Sequence, residues 1–178
     1  MNLIILPGNS PRNKEWAHQA AEAFDDEFDL IYTQEYRHWD MDERIGEIIS
    51  FPTELQELER HAPLTLPYMI FAKSAGAILT MLAVHKGILH PQRCVFLGVP
   101  ILLARKDNIG IDDWIKHYSV PTLVIQNSHD PVTDFRTVEH FITGHGKNNF
   151  TLKELPGTHH TYNDFKLLRR LSLEFLKG

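Results

Sequence analysis

The run Tyr68-Met69-Ile70-Phe71-Ala72-Lys73-Ser74-Ala75-Gly76-Ala77-Ile78-Leu79 places a serine between an apolar strand-like stretch and a segment with the spacing of an amphipathic helix. Ala72 and Gly76, small residues two before and two after Ser74, let strand and helix approach closely, and the strained turn between them pushes a hydroxyl out above a sheet. The helix start aims backbone N–H groups and the positive end of its dipole at charge developing on a bound carbonyl. That chemistry suits a nucleophile, although a serine at a helix start also serves as an N-cap. Two later segments hold the groups that would activate it. Pro121 to Val132 is a strand-like run ending in a loop with Asp130, which by itself also reads as a turn residue before Pro131. Leu152 to Tyr162 is another such run, ending in Gly157-Thr158-His159-His160-Thr161-Tyr162. Serine, acid and histidine are the set a proton-transfer chain requires.

Other chemistries find less support. Cys94 is the one cysteine and lies in the apolar run Cys94-Val95-Phe96-Leu97, where a buried structural thiol is the natural reading. Eleven histidines invite a metal, yet the chain lacks H-E-x-x-H and any closely spaced His and Asp cluster. No metal and no cofactor are expected. The loop Pro7-Gly8-Asn9-Ser10 could cradle phosphate, but neither G-x-G-x-x-G nor a G-K-[ST] ending is present. Lys73 beside the serine could sit at a pocket rim and favour an acidic substrate; projection into solvent is the preferred reading.

Six short apolar runs are expected as strands: Leu3 to Leu6, Phe28 to Thr33, Pro67 to Ala72, Arg93 to Leu97, Pro121 to Gln126 and Phe150 to Leu155. Helical spacing marks Lys14 to Phe24, Thr53 to Arg60, Gly76 to His85, Asp134 to Phe141 and Asp164 to Leu176. This alternation predicts an α/β fold, a three-layer sandwich with a mostly parallel six-stranded sheet and a ligand crevice at the carboxyl ends of its strands. Gln34 to Phe51, with Trp39, Asp40, Asp42, Glu43 and Arg44, reads as a long connection that rims the crevice. Pro100 to Ser119 reads as a connection with a short helix near Asp112 to Tyr118.

A chain of 178 residues, 43% apolar, fits one domain over residues 1–178. The net charge of -5 and a pI near 6.1 give no basic field, so nucleic acid is not expected as a partner. No stretch approaches membrane-spanning length, and Met1 to Gly8 lacks a basic leader. The expectation is a soluble, cytoplasmic protein acting on a small molecule; its oligomeric state is not legible.

The order Ser74, Asp130, His, each in a loop after a strand, resembles the α/β-hydrolase superfamily. Ala72-Lys73-Ser74-Ala75-Gly76 is similar to its nucleophile elbow G-x-S-x-G, with Ala72 in place of the first glycine. The resemblance implies a minimal, capless member with Ser74, Asp130 and His160 as the triad. His160 is in register with the family's G-x-x-H, and His159 is the alternative base. It further implies an oxyanion hole from the backbone N–H groups of Asn9, or of Ser10 beside it, and of Ala75. The activity implied is that of a serine hydrolase cleaving a small carboxylic ester or thioester through an acyl-enzyme. The short Pro100 to Ser119 connection implies an open site for small or medium acyl groups. A non-catalytic binding module on the same scaffold is the rival reading.

Overall fold

A computed structural model describes residues 1–40, 49–62 and 67–178. Six strands alternate with helices: β1 (Asn2–Leu6), α1 (Asn13–Phe24), β2 (Ile31–Thr33), α2 (Phe51–His61), β3 (Tyr68–Lys73), α3 (Ala75–His85), β4 (Cys94–Leu97), α4 (Ile101–Lys106), α5 (Ile111–His117), β5 (Thr122–Asn127), α6 (Phe135–Gly144), β6 (Phe150–Leu155) and α7 (Phe165–Leu176). The strands form one sheet in the order β2-β1-β3-β4-β5-β6, and every neighbouring pair is parallel.

Period-2 alternation divides the core between the two faces of the sheet. Leu3, Ile5, Met69, Phe71, Leu123 and Ile125 pack with Trp16, Ala20 and Phe24 of α1 and with Leu168 and Leu171 of α7. Ile4, Leu6, Ile70, Phe96 and Val124 face the opposite way, onto α2, α3, α5 and α6. The architecture is therefore an α/β sandwich of three layers. Among the described residues, no helix is long and apolar enough to cross a membrane.

Several local expectations need correction. The second strand begins at Ile31 rather than Phe28, because Phe28 instead packs its ring edge-on to Phe24 in the core. Helix α3 is not amphipathic: every residue from Ala75 to Ala83 is buried, so both its faces meet protein. The connection between β4 and β5 holds two helices, α4 and α5, where one was expected. Of the Gln34 to Phe51 connection, Arg37–Asp40 form a 3-10 turn, while Asp42, Glu43 and Arg44 lie outside the described residues. The expected starts at Asp134 and Asp164 are N-caps, whose carboxylates accept from the N–H of Thr137 and Leu167.

Chain order reverses between β1 and β3: β2 lies on one side of β1, and β3 on the other. A crevice opens at such a switch point, beyond the carboxyl ends of the strands. Leu6 pairs with Ala72 there, so Pro7, Gly8 and Asn9 emerge beside Lys73 and Ser74.

Candidate active site

Ser74 joins β3 directly to α3 and has φ 51° and ψ -116°, a conformation that costs a non-glycine residue about 1–3 kcal/mol. Its N–H donates to Leu97 O at 2.8 Å and its carbonyl accepts from Ala77 N–H at 3.0 Å, which fix the turn from both sides. Gly76 makes the close crossing possible. A Cβ there would lie 2.0 Å from the carbonyl oxygen of Leu6 and 2.7 Å from that of Pro7, so any side chain would force β1 and α3 apart. Ala72 is wholly buried and keeps its place in the sheet between Leu6 and Phe96.

Three loops at the carboxyl edge bring Ser74, Asp130 and His160 together. The Ser74 hydroxyl lies 2.9 Å from His160 Nε2. His160 Nδ1 lies 2.9 and 2.8 Å from the two oxygens of Asp130. With its proton on Nδ1, the imidazole donates to the carboxylate and accepts from the serine. Gly98, at φ 58°, lies under this ring: a Cβ there would come 2.9 Å from His160 Cε1. His159 turns away and is exposed. Its Nδ1 meets Thr161 Oγ1 at 3.0 Å, and its carbonyl accepts from Asn127 Nδ2 at 2.7 Å.

Asp130 is 4% exposed and fully engaged. Besides His160 it accepts from Val132 N–H at 2.9 Å and from the hydroxyl of Tyr162 at 2.8 Å. Burial, the largest single influence, pushes its carboxyl up, but the bonds from His160, Tyr162 and Val132 together outweigh it and hold the group below the usual carboxylate range. Nothing in the sequence assigns Tyr162 this role. Thirty-two residues separate it from Asp130, and no spacing rule links positions that far apart.

The loop after β1 is also tied down. The carbonyl of Asn9 accepts from Trp39 Nε1–H at 2.9 Å and meets His38 Nε2 at 2.8 Å, while Asn9 Oδ1 accepts from Ile49 N–H at 2.7 Å. Nothing in the sequence assigns His38 this role, since its partner is a backbone oxygen 29 residues away. Gly8, Asn9 and Ser10 line one cavity of about 630 Å³ with Ser74, His160, Leu103 and Val132. Ala75 follows Ser74 as the first residue of α3.

Lys73 corrects an expectation. It does not project into solvent: it is 6% exposed, donates to Asn13 Oδ1 at 2.8 Å and lies 5.0 Å from the centre of the Trp16 ring. The reason is register. The strand runs one residue further than expected, so Lys73 falls on the same face as Met69 and Phe71, against α1. Burial pulls its ammonium down to about 8, against the attraction of Asp130. Cys94 is wholly buried in β4, and its thiol is pushed up to about 12 by that burial. Among the described residues, no three His, Cys, Asp or Glu side chains gather as a metal-binding group.

No family model matches the sequence, and no curated protein matches it. Solved structures do match. One assigned as a hydrolase of the α/β superfamily, from Xanthomonas campestris pv. campestris, is 13% identical with a TM-score of 0.72, over 99% of this chain and 96% of that one. Est1E of Butyrivibrio proteoclasticus, solved with ferulic acid, is 12% identical with a TM-score of 0.73, over 99% and 90% of the two chains. The RedJ thioesterase of Streptomyces coelicolor is 17% identical with a TM-score of 0.64, over 97% and 85%. The parallel sheet, its strand order and these likenesses agree, and the chain has the α/β-hydrolase fold.

Proposed function

We propose that this chain is a serine hydrolase that cleaves small carboxylic esters or thioesters through an acyl-enzyme on Ser74. The observation that carries the reading is the unbroken hydrogen-bonded line from Ser74 Oγ through both nitrogens of His160 to Asp130. In this mechanism His160 Nε2 takes the serine proton as Oγ attacks the carbonyl carbon. It then returns that proton to the departing alkoxide or thiolate. Asp130 stabilises the imidazolium and keeps the second nitrogen in register. Water repeats the sequence on the acyl-enzyme, releasing the acid and restoring Ser74. The N–H groups of Asn9, or Ser10, and of Ala75 are assigned to the oxyanion, where loss of one donor typically costs about 3 kcal/mol.

The cavity favours a short acyl group. Leu103 and Val132 give it one apolar wall, and the two short helices between β4 and β5 are the only described elements in that connection. The thioesterase among the similar structures is in keeping with acyl transfer. Labelling of the intact protein with a fluorophosphonate, followed by peptide mapping, tests the assignment: the adduct should sit on Ser74. Folded Ser74→Ala should lose hydrolysis of a p-nitrophenyl ester, and retention of most of the rate would sink the reading.

A further inference from the structure

The cavity beside Ser74 has two unlike walls. Opposite Leu103 and Val132, the start of α1 and the end of β3 contribute Arg12, Asn13 and Lys73. Lys73 is buried there, yet among the described residues no carboxylate comes within 4.0 Å of its Nζ. Among the described residues its one hydrogen bond goes to the neutral Asn13 side chain, and the neutral face of Trp16 lies beside it. An ammonium has three N–H donors. Asn13 occupies one and the indole attracts the charge without accepting a full hydrogen bond. A buried cation with no carboxylate in direct contact, attracted only from a distance by Asp130, is a costly arrangement, and an anion entering the cavity would complete it. Arg12, exposed at the rim, adds positive charge; Glu15, the one acidic side chain in the lining, is exposed and accepts from Gln19 at 2.8 Å.

We propose that the α1 side of this cavity is an anion subsite with Lys73 as its ligand, and that the ester or thioester cleaved at Ser74 carries a carboxylate. One buried ammonium matches one negative charge, whereas a phosphate dianion would leave charge unmatched in a partly dry site. The substrate half of the proposal rests on the hydrolase reading; the anion subsite does not.

Two measurements test it. In wild-type protein, titration with butyrate, a monocarboxylate, should shift the Lys73 Cε–Hε resonance saturably in NMR spectra, a readout independent of turnover. No shift, or a stronger response to inorganic phosphate, would overturn the proposal. Kinetically, kcat/KM is compared for monomethyl glutarate against methyl valerate, and for 3-carboxyphenyl acetate against phenyl acetate. These pairs put the charge on the acyl arm or on the leaving group. At least one anionic ester should be preferred by about tenfold or more, the effect of one hydrogen bond to a charged group, and Lys73→Met should bring that ratio towards one. Ratios near one in wild type, or a preference kept in Lys73→Met, would overturn it. An apolar side chain in place of a buried ion is usually tolerated. Should Lys73→Met nevertheless fail to fold, the wild-type ratios and the titration decide. If no ester is hydrolysed while the Lys73 resonance moves, the hydrolase reading fails and the subsite stands.

Discussion

Tyr162 donates its hydroxyl to Asp130 at 2.8 Å while accepting from the N–H of Asn127 at 3.0 Å, so one phenol ties the acidic loop to the end of β5. The tyrosine is itself held: its φ is 53°, and its carbonyl accepts from Trp16 Nε1–H at 2.8 Å. Burial, with the neighbouring carboxylate, pushes the phenol well above its ordinary range, so it remains a donor at any pH of interest.

Tyr162→Phe should therefore act through Asp130. Losing this bond raises the carboxyl, because one of the interactions holding it down is gone. A carboxylate held below its ordinary value adds stability that is complete above about pH 4 and fades as pH falls through its folded pKa. The variant should show a smaller share of that acid-range stability, a kcat reduced by about tenfold and an acid limb of the pH profile moved upward. A profile superimposable on wild type would reduce Tyr162 to packing.

His160→Ala should lower kcat by at least about a thousandfold, as loss of a triad base does, whereas His159→Ala should retain most of the wild-type rate. Steady-state hydrolysis of a p-nitrophenyl ester distinguishes them. Near-normal turnover in both variants would remove histidine from the mechanism altogether.

Strain at the elbow is measurable apart from activity. Ser74→Gly should be more stable than Ser74→Ala by about 1–2 kcal/mol, since glycine alone adopts positive φ without a Cβ penalty. Gly76→Ala should go the other way and cost about 3 kcal/mol, through its collision with the Leu6 and Pro7 carbonyls. Urea unfolding of the three variants and of the wild type gives both differences.

Native protein should leave Cys94 unmodified by iodoacetamide at pH 8, because its buried thiol is pushed up to about 12 and only thiolate reacts. In urea the same reagent should modify it stoichiometrically. Mass spectrometry reads both states, and fast native labelling would show the strand opening.

Across a series of straight-chain esters, kcat/KM should peak at short or medium acyl groups and fall for long ones, since α4 and α5 give limited apolar cover and Leu102 and Leu103 are about half exposed at 49% and 48%. A long-chain optimum with activation at a lipid interface would contradict this.

Strand positions were legible because each apolar run is short and bounded, and β6 coincides with its expected range from Phe150 to Leu155. What failed to show were local departures: a late start at Ile31, one further residue at Lys73 and a short helix at α4. The extension of β3 to Lys73 reverses the side on which that side chain lies, and β4–β5 hides helix α4 because six residues, Ile101 to Lys106, are too few for a clear period. The candidate triad residues could be picked out because each sits in the turn or loop that follows a strand. Tyr162, Asn13, Trp16 and His38 could not, since what matters about them is a partner on another element, and sequence periodicity reports only the element's own faces.

The contact between Ser74 and His160 spans 86 residues of chain, and every strand pairing in the sheet is parallel, so none can form through a tight local hairpin. Topologies of this kind assemble late and slowly, after long loops have closed. A chain still emerging from the ribosome holds its serine long before the histidine exists to meet it. On the proposed mechanism, reactivity at Ser74 would thus report that the chain has been made at least through His160 and that the whole sheet is in place, and its recovery after dilution from denaturant should lag behind the return of helical signal.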